Sequence, residues 1–505
     1  MQPVSFFRRS ALRNPAAVAV EDGARQLTYA ELSAAAEALA AELQALDPEP
    51  GSRVGICAYN SLEHLVAWLA TLLAGKVWVP LYPRNGAGEI ARCVDFTGVS
   101  ILCLDEAGEA AGAEAPARHR IPLTPLGRPG ALAELLARRA GQRPAPVALP
   151  LGGTQAIKFT GGSTGVPKGV MQTLRAWNTG IVSQIEALRL GPASRTLAAA
   201  PITHGTSTYL LPTLARGGTL VISDRAKPPE ILRLLAERRI TTVFLAPTTI
   251  YGLLEDGGAA PGACPALDHL VYGAGPMRPE AIARAIEAFG PVLGASYGQT
   301  EAPQIITFIG PEELAQPALQ ASVGRASLLT EVAVCDPESG VPLPPGEVGE
   351  VRVGGDLVMA GYWRQPEKTA ETLVDGWLCT GDTGLLDERG YLFLKGRLRD
   401  VVISGGFNVY PADVEPVLGR HPAVADCAVY GVPDAKWGEA VHAAVQLRPG
   451  AEADAAALIA HVRAELGPVR APKRVVFHAE LPRNAYGKIL KDRLVALDAE
   501  METQA

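Results

Sequence analysis

Residues 159–170 read Phe-Thr-Gly-Gly-Ser-Thr-Gly-Val-Pro-Lys-Gly-Val, a run of glycines and hydroxyls with one lysine near its end. The missing side chains of Gly161, Gly162 and Gly165 let the backbone approach a ligand closely, while Thr160, Ser163, Thr164 and Lys168 offer donors. A polyphosphate requires that combination; a surface turn is the other reading of such a stretch. Lys168 lies between Pro167 and Gly169, so the G-x-x-x-x-G-K-[ST] loop is not matched and a second nucleotide chemistry is indicated. Ser296-Tyr297-Gly298-Gln299-Thr300-Glu301 then sets a stacking ring, a hydroxyl and a carboxylate close together, which suits adenine, a phosphate and a magnesium ion. Gly273-Ala274-Gly275-Pro276 leaves a flat ring room against the backbone, or makes a turn. Asp382 can accept from both hydroxyls of a ribose, or set a turn before Thr383. His204 and Lys488, taken alone, read as a cap or core histidine and a solvated loop lysine.

The elements that must position these residues follow a βαβ rhythm. Thr28 and Glu31 form a capping box ahead of an alanine-rich helix ending near Leu46, stopped by 48–51. A strand over 53–57, a helix over 62–74, a strand over 77–80, a helix near 88–97 and a strand over 101–104 predict a mainly parallel, helix-covered sheet. Residues 106–153 lack strand signals apart from a helical pattern at 131–139, and are expected to form a surface excursion. The rhythm resumes with strands over 197–201, 219–223, 242–246 and 269–272, a helix over 229–238 and an apolar run over 291–295. From Gly346 it changes to alternating strands with a hairpin at 387–390. Strands over 427–432, 441–447 and 474–477 and helices over 412–418 and 454–466 predict a small α+β domain beyond Arg399.

The chain has 505 residues, more than one core usually holds, so at least two domains are expected. A net charge of -7 argues against a nucleic-acid partner. Seven cysteines, with no C-x-x-C pair, suggest neither a disulfide framework nor a zinc site and fit a reducing cytoplasm. The start lacks a long apolar segment behind a basic head, which predicts no secretory leader. The apolar stretch 62–79 is interrupted by Glu63, His64 and Lys76 and reads as a buried helix and strand, not a membrane span.

In their order along the chain these motifs resemble the acyl-adenylate-forming superfamily, which includes acyl-CoA synthetases, luciferases and the adenylation domains of peptide synthetases. The resemblance runs from the helix after Thr28 to Lys488. It implies an α/β fold with helix-covered, mainly parallel sheets and a small β-barrel-like subdomain over 1–398, and a mobile α+β lid over 399–505 hinged at Arg399. It implies activation of a carboxylic acid by ATP with magnesium, giving an acyl-adenylate and pyrophosphate, then displacement of AMP by a second nucleophile. Thr160, Gly161, Gly162, Ser163, Thr164, Gly165 and Lys168 would hold the β- and γ-phosphates, Gly273, Ala274, Gly275, Tyr297 and Gly298 the adenine, and Asp382 and Arg397 the ribose. Thr300 would touch the α-phosphate, Glu301 would carry magnesium, and Lys488 would sit between acid and α-phosphate. His204 borders the acid in such enzymes, and Trp177, Tyr209 and the segment from Gly298 to Gln304 would shape its pocket. Ser404, Gly405 and Gly406 would line a thiol tunnel after the lid turns. Relatives that activate amino acids carry an aspartate just after the position of His204; residues 205–208 offer none, so an uncharged aromatic or medium-length aliphatic acid is expected. Coenzyme A is the expected acceptor, with an amine or a carrier-protein thiol as alternatives and a non-catalytic nucleotide-binding protein or a luciferase-type oxygenase as other classes. A monomer or homodimer is expected.

Overall fold

The computed structural model describes residues 1–503 except Arg128, 161–166, Arg225, 256–258, Ala435 and 484–488, and leaves out the side chains of Thr160 and 501–503. Its contacts divide the chain into two compact units, Met1–Val332 with Val353–Cys379 and Ala333–Arg352 with Thr380–Ala505.

The first unit is built on two mostly parallel sheets. In one, the spatial order is Gly361–Tyr362, Lys168–Thr173, Thr154–Thr160, Val77–Leu81, Arg53–Cys57, Val99–Leu104, His119–Pro122. In the other, Val18–Asp22, Thr219–Ile222, Arg195–Ala198, Thr242–Leu245, His269–Tyr272 and Leu293–Tyr297 run parallel, with antiparallel strands at each end. Helix Tyr29–Leu46 begins on the expected capping box: Thr28 Oγ1 accepts from Glu31 N at 3.2 Å, and Glu31 Oε2 accepts from Thr28 N at 2.8 Å. Small residues along it, Ala36 and Ala40 among them, let it pack closely on helix Leu62–Leu73, which is buried all round. The expected strand and helix of 62–79 are therefore core elements.

Two expectations about elements need correction. The region 106–153 does contain a strand, His119–Pro122, which pairs in parallel with Val99–Leu104 at a sheet edge. Only Ile121 of its four residues is well buried, so the apolar pattern that would announce a strand is missing while the backbone pairing supplies one. Strand Leu293–Tyr297 also runs past the apolar run, so Ser296 and Tyr297 belong to the strand and the loop begins at Gly298.

The chain passes from one unit to the other within 331–397, where five strands form a smaller half-barrel sheet. In the second unit, Phe407–Val409, Val402–Ser404, Gly438–Leu447 and Val424–Asp434 lie side by side, and Arg474–Phe477 pairs in parallel with Gly438–Leu447. Helices Pro411–Gly419 and Ala455–Arg470 cover it over a core of Val414, Val417, Leu418, Val429, Val441, Leu458 and Val462. Helix Lys491–Thr503 is tied in by Asp498, whose Oδ2 lies 2.8 Å from both Tyr430 Oη and His442 Nδ1. The α/β architecture and the separate α+β C-terminal domain expected from the sequence are present.

Candidate active site

In the first unit the chemistry-bearing residues gather at strand ends. The hairpin Thr154–Thr160 and Lys168–Thr173 pairs Thr160 with Lys168, so the two described flanks of the glycine-rich stretch are antiparallel neighbours. A strap over 359–365 crosses this hairpin: Ala360 N donates to Met171 O at 2.9 Å, Trp363 N to Gly169 O at 2.7 Å, and Gln365 Nε2 to Pro167 O at 3.2 Å. The same strap grips Glu301, through Met359 N to Glu301 O at 2.8 Å and Tyr362 Oη to Glu301 Oε1 at 2.8 Å. Glu301 is thereby fixed to the hairpin that carries Lys168.

Behind Glu301 the turn closes through Gln299 N to Ala302 O at 3.1 Å. Gln172, on the second strand of the hairpin, donates to Thr300 O at 2.9 Å and accepts from Trp177 Nε1 at 3.0 Å. Trp177 stacks on Trp68 at 5.9 Å and meets Trp78 edge-on at 6.2 Å. It lines a small cleft together with Gly180, Ile181 and Gln184 of helix Leu174–Ala187, Ser207, Thr208 and Leu211 of helix Ser207–Ala215, and Pro303.

Ser207 joins the cleft to a buried cation. Lys158 Nζ donates to Ser207 Oγ at 2.7 Å and to His204 O at 3.2 Å, and lies 5.0 Å from the Trp78 ring centre. Among the described residues no carboxylate neutralises it. Burial therefore pulls its ammonium down to about 7. His204 sits in a kink, with non-helical φ −109° and ψ −141°. Its Nδ1 is 2.7 Å from Thr203 Oγ1 and its ring meets Tyr82 edge-on at 5.2 Å. Burial first, and the nearby Lys158 second, hold His204 down to about 4, so the imidazole is neutral.

The other expected residues of this unit play packing parts. Tyr209 stacks on Phe244 at 5.3 Å and accepts from Gln304 Nε2 at 2.9 Å; Gln304 also donates to Ser296 Oγ at 3.0 Å. Burial pushes the Tyr209 phenol up, so it stays neutral. A Cβ on Gly298 would lie 2.7 Å from the Gln304 backbone, and one on Gly273 2.8 Å from Ser296 O, so both glycines allow close backbone packing. Gly275 has only Pro247, at 3.7 Å, near its missing side chain, and Ala274 holds a left-handed φ of +64°.

In the second unit Asp382 and Arg397 face each other across antiparallel strands, with Arg397 Nε 2.8 Å from Asp382 Oδ1. Asp382 thus lies inside strand Trp377–Leu386 and does not set a turn. Arg399 is exposed in the short turn Leu398–Asp400. Gly405 and Gly406, with φ of +60° and +82°, turn the hairpin Val402–Ser404 to Phe407–Val409. Gly161, Gly162, Ser163, Thr164, Gly165 and Lys488, and the Thr160 side chain, lie outside the described residues.

Comparison with known proteins decides the family. The AMP-binding enzyme family matches residues 7–363, and the AMP-binding enzyme C-terminal domain matches residues 413–488. The chain belongs to the acyl-adenylate-forming superfamily, in its acyl-CoA synthetase family. This synthetase is 36% identical over 485 residues to a feruloyl-CoA synthase of Amycolatopsis, covering 96% of each chain. It is 35% identical over 486 residues to the medium/long-chain-fatty-acid–CoA ligase FadD8 of Mycobacterium tuberculosis, covering 92% of this chain and 85% of that one. Its fold matches the amide bond synthetase McbA of Marinactinospora thermotolerans with a TM-score of 0.88 at 33% identity, over 98% of this chain and 99% of that one. By class it is an acid–thiol ligase of the AMP-forming type.

The residues of the synthetase suit a magnesium ion bound through phosphates. Such an ion takes one or two protein carboxylates, and Glu301, whose carboxylate accepts from Tyr362 Oη, would supply one. Sequence reading missed Gln172, Gln184, Ser207 and Tyr362, which are ordinary residues of a hairpin, two helices and a strap. Lys158 did carry a signal, a lone charge inside the apolar run Ala-Ile-Lys-Phe of 156–159.

Proposed function

We propose that the enzyme condenses an uncharged organic acid with ATP to form an acyl-adenylate and pyrophosphate, and then passes the acyl group to the thiol of coenzyme A with release of AMP. The observation that carries this is the Gln172 bridge: one side chain ties the wall of the cleft to the turn bearing Thr300 and Glu301. An acid held against Trp177 would lie at the end of that bridge opposite the phosphate-side turn, as in-line attack on an α-phosphorus requires.

The chemistry follows from charge. A carboxylate approaching a phosphate meets repulsion, and negative charge builds on the departing pyrophosphate. Donors from the 160–168 stretch would hold the β- and γ-phosphates, and Lys488 would face the acid and the α-phosphate. Magnesium held by Glu301 would neutralise phosphate charge when bound. Asp382, oriented by Arg397, would accept from ribose hydroxyls, and the neutral His204 would border the acid without offering it a proton. In the second half-reaction the lid turns about Arg399 and brings 404–406 to the thiol.

Pyrophosphate exchange with a panel of acids tests the first step, and mass measurement of products with coenzyme A or amines supplied tests the second. Lys488→Ala should slow exchange by about a hundredfold, roughly 3 kcal/mol, the loss of one preorganised electrostatic contact. Unchanged exchange would remove Lys488 from the mechanism. The likeness to an amide bond synthetase makes amide formation the second reading. Amide, and no thioester, among the products would establish it.

A further inference from the structure

Strand Leu392–Arg397 carries a bulge at Lys395. Gly396 pairs with Thr383 and Leu394 with Gly384, so in that register Lys395 has no cross-strand neighbour of its own. A bulge of this kind re-aims the side chain of the extra residue, and bulges collect beside active sites. Here the same register sets Arg397 opposite Asp382, so the bulge stands next to the pair proposed to hold the ribose. The side chain of Lys395 reaches helix Pro411–Gly419, where its Nζ lies 2.8 Å from Asp413 Oδ1, the two side chains being 27% and 19% exposed. Both residues belong to the second compact unit. Along the chain, however, Lys395 precedes Arg399 and Asp413 follows it.

The same helix grips the chain on either side of Lys488. Glu415 Oε1 accepts from Val429 N at 2.9 Å, which fixes it to strand Val424–Asp434, and from Lys491 Nζ at 2.8 Å. Lys491 opens the last helix, just beyond Lys488. On the incoming side Arg483 forms an ion pair with Asp426 of the same strand. Arg483 and Ile489 make an antiparallel bridge and Leu490 N donates to Pro482 O at 2.8 Å, so the two feet of the lysine loop are tied to each other. A continuous run of contacts therefore leads from the bulge through Asp413, Glu415 and Lys491 to those feet. Asp413 has a second reading, as a first-turn acid that suits the helix dipole. That reading gives Lys395 no task, whereas a bulge that turns a lysine onto this one carboxylate is accounted for by the pair.

We propose that Lys395 and Asp413 are positioning residues of adenylate formation. Their ion pair holds helix Pro411–Gly419 against the strand of Arg397, and with it the feet of the Lys488 loop, in the arrangement that the first half-reaction uses. A turn of the chain about Arg399 carries Asp413 away from Lys395, so the pair parts before the thiol is acylated. This rests on the proposed function in taking Lys488 as the lysine of adenylation and Arg399 as the pivot. A partly exposed pair adds little to overall stability, yet it biases two lid positions by up to about fivefold.

Separate assays of the two half-reactions on the full-length enzyme test it. Pyrophosphate exchange with the best acid of a panel reads the first, and thioester formation from supplied acyl-adenylate and coenzyme A reads the second. Lys395→Met should lower kcat for pyrophosphate exchange about three- to fivefold, keep the KM for acid within about twofold, and leave thioester formation unchanged or faster. Lys395→Arg, which still bonds a carboxylate, should stay within about twofold of wild type in both. Asp413→Asn should reproduce the Met variant, so a folding defect peculiar to one substitution does not decide the matter. A further reading needs no catalysis: in Lys395→Met the amides of 398–401 should exchange hydrogen faster while those of Val424–Asp434 keep their protection. Equal losses in both half-reactions would overturn the proposal, as a general structural defect. No change in either would overturn it too, because the strand of Lys395 would then travel with the lid. Both results leave adenylation standing. A wild type that exchanges pyrophosphate with no acid would overturn adenylation, and hydrogen exchange over 398–401 would still judge the pair, faster exchange supporting a restraint on the pivot and unchanged exchange refuting it.

Discussion

Among the described residues Lys158 has only neutral hydrogen-bond partners around a buried ammonium, and that choice has a pH signature. Its folded value of about 7 lies well below the ordinary lysine range near 10.4. Between those two values the unfolded chain binds a proton that the folded chain does not, so this residue makes stability rise with pH through that window. Below pH 7 the cost of the buried charge is fully present. Lys158→Met removes the titration, so the variant should gain stability relative to wild type at pH 6 compared with pH 9, by on the order of 2–3 kcal/mol. Thermal unfolding at the two pH values checks this; a difference that does not change with pH would show that Lys158 titrates normally. Glu301 makes a separate case. Tyr362→Phe removes the hydroxyl that orients its carboxylate and should raise the magnesium concentration for half-maximal exchange about tenfold, with the KM for acid nearly unchanged. A superimposable magnesium curve would count against Glu301 as the ligand.

At the scale of elements, glycine spacing and apolar periodicity made much of the fold legible. The capping box at Thr28 and strands such as Arg53–Cys57 and His269–Tyr272 were written in local sequence, because caps and buried parallel strands depend on residues close in the chain. His119–Pro122 was not, since its stability comes from a neighbouring strand's backbone. The candidate site divides in the same way. Glu301 stands in a motif, but Tyr362, which orients it, lies 61 positions away, and Gln184 sits in an unremarkable helix. Gly405 shows a turn whose residue type is dictated twice: φ is +60°, and a Cβ would lie 2.9 Å from Trp437. Gly405→Val should therefore destabilise the hairpin by about 2 kcal/mol, read as faster hydrogen exchange over 402–409. Unaltered protection would mean the strand pairs absorb the change.

At the scale of the whole molecule, the proposal needs one unit to present Lys488 and later 404–406 to the other. Arg399, exposed and with its Nε 3.5 Å from Asp400 Oδ1, is the proposed pivot. Arg399→Pro fixes one torsion and restricts Leu398, so pyrophosphate exchange should survive while thioester formation slows at least about tenfold. Equal loss of both half-reactions would contradict a hinge there. The helices and strand tips of the first unit carry a further implication. Groups that would meet phosphate stand on strand tips and the strap, whereas much of the cleft wall belongs to two helix faces, Leu174–Ala187 and Ser207–Ala215. A lineage can therefore exchange one side chain on either helix and acquire a new substrate while its nucleotide machinery is inherited intact.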